Sequence, residues 1–367
     1  MSDVAERIRS LVRRDGPITF ARFMHEALYA PGGFYERPPV GPEGHFVTSP
    51  HVHPVFSRLV GAALEALSDE LGRPRPLRVV ELGAGDGTMA REILDGFTRG
   101  GIELDYAAVE VSPGARAALT ERGIRAVERM DAIERLEPGL VVANELLDNL
   151  PFRRVRRRAG ELVEVAVGVD DERLVEVEVP WPGDPPGRVP AEGKEILVPT
   201  GAFECLDGLS RLVGFGYVLL IDYGNAVADP DVRGYRAHRL VTDLLADPGA
   251  ADVTAGVDFR AVATHAERLG WRAFEPVTQR AVLRALGLDQ WMSQGRLHQT
   301  ELLESGRGAD AVRIWEGRNR ARLLVDPAGL GGLRWLLLAT PELDEPTWLR
   351  RAREIGGASV DRRRSER

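Results

Sequence analysis

Two carboxylates three residues apart, Glu145 and Asp148, follow an apolar run in Val141-Val142-Ala143-Asn144-Glu145-Leu146-Leu147-Asp148-Asn149-Leu150-Pro151. On one helical turn, positions i and i+3 lie on the same side. Carboxylates paired in this way can clamp a cation, accept a proton or hold a metal. The plainer alternative has Asn144 capping a helix in front of two solvated acids, and a cap can still touch a ligand. Upstream, Glu81-Leu82-Gly83-Ala84-Gly85-Asp86-Gly87-Thr88 crowds three glycines into one turn. Such a turn lets a ligand approach the backbone closely. Glu110 ends the next apolar run, about 20 residues on, where an acid can bond ribose hydroxyls. Tyr223 directly follows the apolar run that ends at Asp222, and the same geometry aims it at a cleft. For each acid alone, a solvated strand end is the competing explanation.

These residues need a frame. Leu77–Leu82, Asp105–Glu110, Leu140–Ala143 and Gly216–Asp222 read as strands, and Thr88–Phe97 and Pro113–Gly123 as helices between them. Near-continuous apolar strands alternating with helices predict an α/β fold whose mostly parallel sheet is covered on both faces. Ligands of such sheets bind beyond the carboxyl ends of the strands, where Gly83, Glu110, Asn144 and Tyr223 all fall. Alternation in Leu162–Val167 and Leu174–Val179 predicts an inserted antiparallel hairpin. Before the first strand, Val4, Ile8, Leu11 and Val12 recur at helical spacing, Thr19 is placed to cap a second helix, and Val55–Leu71 forms a third. After Gly224 the chain reads as loop, then helix over Phe259–Leu269 and Leu283–Leu324, a closing strand at Trp335–Ala339, and a frayed tail from Ala358. Asp131 reads as a helix N-cap or a neighbour of an adenine.

Composition narrows the function classes. The chain has 367 residues, 44% of them hydrophobic, and a formal charge of -8. An acidic chain does not suit general binding to nucleic acid or anionic membrane. Lys194 is the single lysine among 48 basic residues, so arginine density is a matter of composition first. Arg153, Arg154, Arg156, Arg157 and Arg158 are accordingly expected to protect a solvated edge strand. Cys205 stands alone, which excludes an internal disulfide. The histidines have no compact metal-ligand spacing; His51 and His53 lack a third ligand nearby, and no metal is expected. No apolar run is long enough for a membrane span, and Met1–Arg14 has no secretory h-region. A cytoplasmic location is therefore expected.

The spacing within the glycine turn separates two cofactor classes. A dinucleotide fingerprint wants its third glycine at position 88, which is Thr88; here it comes one residue early, at Gly87. The form E-x-G-x-G-x-G resembles motif I of class I S-adenosylmethionine methyltransferases. That resemblance implies S-adenosyl-L-methionine lying against Gly83, Gly85 and Gly87, with Glu81 accepting from its ammonium, usually through water, and Glu110 on its ribose.

A wider resemblance runs along most of the chain. Seven segments occur in order: Ile18-Thr19-Phe20 with Phe23-Met24 and Ala27-Leu28-Tyr29; Phe46-Val47-Thr48-Ser49-Pro50; the Glu81 glycine turn; Asn144-Glu145 with Asp148 and Leu150-Pro151; Ile221-Asp222-Tyr223-Gly224; Arg233-Gly234-Tyr235-Arg236-Ala237-His238; and Asp252-Val253-Thr254-Ala255 with Val257-Asp258-Phe259. Together they resemble the MidA-like S-adenosylmethionine-dependent methyltransferases, a family that includes a mitochondrial arginine methyltransferase needed for respiratory complex I assembly.

The resemblance implies a Rossmann-like class I core at 75–345, with a β-hairpin insertion at 152–200 and a mainly helical insertion at 225–325. It also implies an N-terminal helical region with an active-site loop at 1–74 and a C-terminal tail at 346–367. Thr48, Ser49 and Pro50 are implied to line the cofactor site, and Asn144, Glu145, Asp148 and Tyr223 the catalytic one. The family usually has acids where this chain has His45 and His51, and Ala where it has Asn149; these departures bear on the substrate. The implied activity is N-methylation of arginine in a partner protein, with a respiratory-complex subunit as a candidate acceptor. Two alternatives stand beside it: a cofactor-binding assembly factor with little catalysis, and a small-molecule methyltransferase.

Overall fold

The computed structural model describes residues 3–36, 48–225, 231–236 and 239–365, with side chains described to residue 357. Its centre is an eight-stranded sheet. Six strands carry the argument: β1 (Leu77–Leu82), β2 (Leu104–Val109), β3 (Arg125–Val127), β4 (Gly139–Asn144), β5 (Gly216–Asp222) and β6 (Arg334–Ala339). Their spatial order is β6-β5-β4-β1-β2-β3. All neighbours are parallel except β6, which runs antiparallel to β5. Two short antiparallel pieces, Arg272–Ala273 and Val277–Thr278, extend the sheet beyond β6. The order therefore reverses at β1, between β4 and β2, which opens a crevice at the carboxyl ends. Register keeps those ends level: Leu82 lies beside both Val109 and Ala143, and Asn144 beside Ile221. This is the expected Rossmann-like α/β architecture.

Both faces of the sheet are buried, as continuous apolar strands require. Every residue of β5 is buried. Each large apolar side chain so covered contributes roughly 1.5–3 kcal/mol relative to exposure. One face packs Leu77, Val79 and Trp335 against Phe56, Leu64 and Leu67 of helix Val55–Glu70. The other packs Val80, Leu82 and Leu220 against Leu206 and Leu209 of helix Thr200–Leu212. Helix Asp3–Asp15 and helix Phe20–Leu28, the latter capped by Thr19 on Arg22 N (3.0 Å), form a third cluster.

Several expectations need revision. The inserted hairpin is part of a five-stranded sheet that also recruits Ile18–Thr19. Arg153–Arg158 is an interior strand of it, paired on both sides, and not an edge. Its arginines face acids across the strands: Arg153 with Glu164, Arg154 with Glu176 and Glu195, Arg156 with Glu178 and Glu195. Arg156 and Glu195 stand directly opposite in the ladder, where opposite charges stabilise pairing.

The stretch after Gly224 contains a three-stranded sheet, Val232–Arg236, Arg239–Val241 and Asp252–Ala255, where loop was expected. These strands are too short for their alternation to stand out. Leu283–Leu324 is divided into helices Gln279–Ala285, Leu288–Glu304 and Gly308–Leu323, broken where Gly287 and Gly306 adopt φ +108° and +76°. Residues Thr347–Ser365 form a helix, and its Trp348, Leu349 and Ala352 lie in the central core.

Candidate active site

The turn after β1 is shaped by its glycines. Gly83, Gly85 and Gly87 have φ of +67°, +55° and +78°, a region that side chains disfavour. A Cβ on Gly83 would come within 3.0 Å of Leu146, and one on Gly87 within 2.7 Å of Leu119. A Cβ on Gly85 would meet nothing within 4 Å, because this residue lines open cavity. Gly85 N–H donates to Glu110 Oε2 (2.9 Å) and Ser112 N–H to Glu110 Oε1 (2.8 Å). Burial pushes the Glu110 carboxyl up, and these two donors pull it back. Each carboxylate oxygen has a second lone pair for a ligand hydroxyl.

Glu81 departs from expectation. It is buried at 2% exposure, takes the Tyr106 hydroxyl at 2.5 Å, and is not among the cavity-lining residues, whereas the adjacent Leu82 is. Alternation along the strand turns it to the Leu77 and Val79 face. Burial raises its carboxyl to about 8. Glu81, expected to meet the cofactor ammonium through water, thus sits beneath the turn and braces the sheet there, one residue from the cavity wall.

The cavity beyond the strand ends has a volume of about 1250 Å³. Gly83, Gly85, Glu110, Glu145, Asp148, Tyr223 and Thr48 all line it. Glu145 and Asp148 do share one side, but not through an α-helical turn. Glu145 takes φ +52°, and a 3-10 turn, Leu147–Asn149, follows. Glu145 Oε1 accepts from Ser49 N–H (3.1 Å) and Asn144 Nδ2 (3.2 Å). Asn144 thus orients Glu145 and caps no helix. Asp148 Oδ2 accepts from the Thr254 hydroxyl (2.8 Å), while its buried Oδ1 has no hydrogen-bond partner among the described residues.

Burial dominates the acidity of this corner. It raises Glu145 to about 7 and Asp148 to about 6. Behind them Asp222, fully buried, accepts from Leu146 N–H (3.0 Å), Leu147 N–H (2.6 Å) and Tyr223 N–H (2.7 Å). Burial and the neighbouring Asp148 push the Asp222 carboxyl upward.

An aromatic wall closes the acidic end. Tyr29 and Tyr35 stack with centroids 5.5 Å apart. The Tyr29 hydroxyl donates to Asn149 O (2.9 Å), and that of Tyr35 to Asp252 Oδ1 (2.9 Å). Asn149 Nδ2 also donates to both oxygens of Asp252 (3.0 and 2.9 Å). Burial lifts Asp252 to about 7 and keeps all three tyrosines, Tyr29, Tyr35 and Tyr223, protonated. Asp222, Asp252, Thr254 and Tyr35 were not singled out from sequence. One local signal existed: alternation in Asp252-Val253-Thr254-Ala255 sets Asp252 and Thr254 on one face.

Of the expected cofactor loop, Thr48 reaches the cavity wall. Ser49 and Pro50 are buried in the short helix Ser49–Val52. Ser49 acts through its N–H on Glu145. His51 turns away from the cavity: its Nδ1 is 2.9 Å from Thr48 Oγ1 and its Nε2 is 3.3 Å from Asp86 Oδ1. The departure at His51 therefore contacts the glycine turn directly and lies close enough to Glu145 to act on its carboxyl. Asp131 lines the cavity and pairs with Arg129 (3.0 Å), within the turn Met130–Ala132 rather than as its cap. Phe46, Val47, His45, Ala237 and His238 lie outside the described residues.

Comparison with known proteins agrees with this geometry. The sequence profile of a family described as "Putative S-adenosyl-L-methionine-dependent methyltransferase" matches residues 59–277. The mitochondrial "Protein arginine methyltransferase NDUFAF7 homolog" of Drosophila melanogaster is 28% identical, over 89% of this chain and 82% of its own. The mitochondrial "Protein arginine methyltransferase NDUFAF7" of Homo sapiens is 27% identical, over 76% and 72%. These relatives are named as mitochondrial, which overturns the expectation of a cytoplasmic location. Among solved structures, a COG1565 superfamily member from Burkholderia thailandensis, bound to S-adenosyl-homocysteine, is 26% identical with a TM-score of 0.78. That match covers 94% of this chain and 93% of that one.

Proposed function

The chain belongs to the S-adenosyl-L-methionine-dependent methyltransferases, and on that premise we propose that it methylates a guanidinium nitrogen of arginine in a partner protein. The residues present suit the cofactor. Gly83 and Gly85 offer bare backbone at the cavity wall, and Glu110 has lone pairs to spare for ribose hydroxyls. Bound S-adenosylmethionine supplies an electrophilic methyl group and leaves as S-adenosylhomocysteine.

The observation that carries the acceptor is the cluster of Glu145, Asp148 and Asp252 beside Tyr29, Tyr35 and Tyr223 on one cavity wall. Such a pocket suits a flat cation with several N–H donors, which is the guanidinium rather than a compact ammonium. A charged guanidinium is a poor nucleophile. Carboxylates that bond its N–H groups localise the charge and aim one nitrogen at the methyl. Glu145 and Asp148, held near 7 and 6 by burial, have acidities suited to accepting the proton released as the new C–N bond forms. The names of the relatives support the same acceptor. The finer choice we propose, a respiratory-complex subunit, rests on the family resemblance alone.

The test is methyl transfer from labelled S-adenosylmethionine to protein, followed by hydrolysis and amino-acid analysis. Label in methylarginine is the expected result. Label confined to carboxylates, hydroxyls or small metabolites would overturn the acceptor and leave the cofactor assignment standing.

A further inference from the structure

We propose that His51 is a positioning residue that ties the glycine turn to the acceptor corner, so that both halves of the site are set as one unit. This rests on the cofactor reading and not on the identity of the acceptor. The helix Ser49–Val52 stands between the two halves and touches each through a different residue. On one side Ser49 N–H donates to Glu145 Oε1 at 3.1 Å. On the other, the buried His51 Nε2 approaches Asp86 Oδ1, within the glycine turn itself, to 3.3 Å: an ion-pair distance for a protonated ring, with no hydrogen bond completed. Between them, His51 Nδ1 and Thr48 Oγ1 are 2.9 Å apart, and Thr48 lines the cavity. The His51 ring is 8% exposed and thus spans the gap as a fixed strut rather than a surface side chain.

Asp86 is held from several directions. It accepts from Thr88 N–H (3.0 Å) and the Thr88 hydroxyl (2.9 Å), and Arg122 stands 3.7 Å away. Thr88 begins the helix that follows the turn, so Asp86 braces the turn against its own helix. His51 extends that brace to the N-terminal segment. Ser49 is anchored in turn by Gln279, whose Nε2 lies 3.3 Å from Ser49 Oγ. A ligand that settles the glycine turn thereby settles the Ser49 N–H that orients Glu145.

Two substitutions separate the links. His51→Gln keeps an amide nitrogen near the position of Nε2 and can still reach Asp86. His51→Asn keeps one near Nδ1 and reaches Thr48 alone. S-adenosylmethionine affinity by calorimetry and Ser49 amide hydrogen exchange are read in each, with Asp86→Ala and the His51→Asn, Asp86→Ala double variant. Expected results are about tenfold weaker binding in His51→Asn and in Asp86→Ala, no further loss in the double variant, and near-normal binding in His51→Gln. Cofactor should slow Ser49 exchange in the wild type and His51→Gln, but not in His51→Asn. Additive losses in the double variant, or the same slowing of Ser49 in His51→Asn, would overturn the strut. Failure of the wild type to bind S-adenosylmethionine would instead strike the cofactor reading.

Discussion

The backbone N–H of Ser49 donates to the side chain of Glu145 at 3.1 Å, joining positions 96 residues apart. A backbone donor cannot be removed by changing a side chain, so this contact depends on where the N-terminal segment is held. It also limits how Glu145 can turn, because the same Oε1 takes Asn144 Nδ2. The acceptor corner is thus built by the sheet from below and by the N-terminal segment from above.

The cofactor site is tested at Gly85. Its φ of +55° and the open cavity in front of it leave an arginine room but not comfort. A side chain in this backbone region costs about 1–2 kcal/mol, small against the stability of a domain. Gly85→Arg should therefore stay folded, with an unfolding midpoint close to that of the wild type, yet place a long side chain where the cofactor lies. Calorimetry should show S-adenosylmethionine binding in the wild type and none in the variant. Tight NAD binding by the wild type would contradict the assignment.

Arg153 and Glu164 test the arginine ladder as structure rather than as a binding surface. Arg153 Nε donates to Glu164 Oε1 at 2.8 Å, and the Glu164 side chain is 2% exposed. Removing the arginine leaves a buried carboxylate without its cation, at a cost of about 3 kcal/mol. Arg153→Ala should lower the urea midpoint at pH 7. The double variant Arg153→Ala, Glu164→Gln should recover most of the loss, since no uncompensated charge remains.

How much was legible in the sequence follows from range. Strands β1, β2, β4 and β5 are apolar runs, and the glycine turn needs its glycines, so both stand out locally. Glu145 and Asp148 were found because the strand end places them. Asp222 was not singled out, since it works by receiving N–H groups from a turn 74 to 76 residues away. Asp252 reaches Tyr35 across 217 residues, a pairing that no spacing announces. The arginine strand misled because an edge and an interior strand have the same local pattern. Its acids, Glu164, Glu176, Glu178 and Glu195, lie on three other strands.

Glu81 offers a test by pH. Burial raises its carboxyl to about 8, above the ordinary value it regains on unfolding. The folded state then holds its proton where the unfolded chain has lost it, so folding stability falls as pH rises from about 4.5 to about 8. Glu81→Gln removes that dependence and keeps an acceptor for the Tyr106 hydroxyl. Wild type and variant should unfold alike near pH 4, and the variant should be the more stable near pH 9. Equal pH dependence of the two proteins would show that folding leaves the Glu81 carboxyl at its ordinary acidity.

The acceptor pair gives the most direct test of mechanism. Asp148→Asn keeps the shape of the turn and can still accept from Thr254, but it removes one negative charge and one proton acceptor. Methyl transfer should fall by about 10²–10⁴-fold, the usual range for a positioned base, while S-adenosylmethionine affinity changes little. Glu145→Gln should act in the same direction, because its carboxyl shares the cavity wall. The wild-type pH profile should rise through the region of pH 6 to 7, where burial has placed Asp148 and Glu145, as the carboxylates that hold the guanidinium become charged. In Asp148→Asn that rise should change in position or steepness, because one member of the coupled acidic cluster no longer titrates. Full transfer by the double variant Glu145→Gln, Asp148→Asn would remove the carboxylate pair from the mechanism, whatever the acceptor.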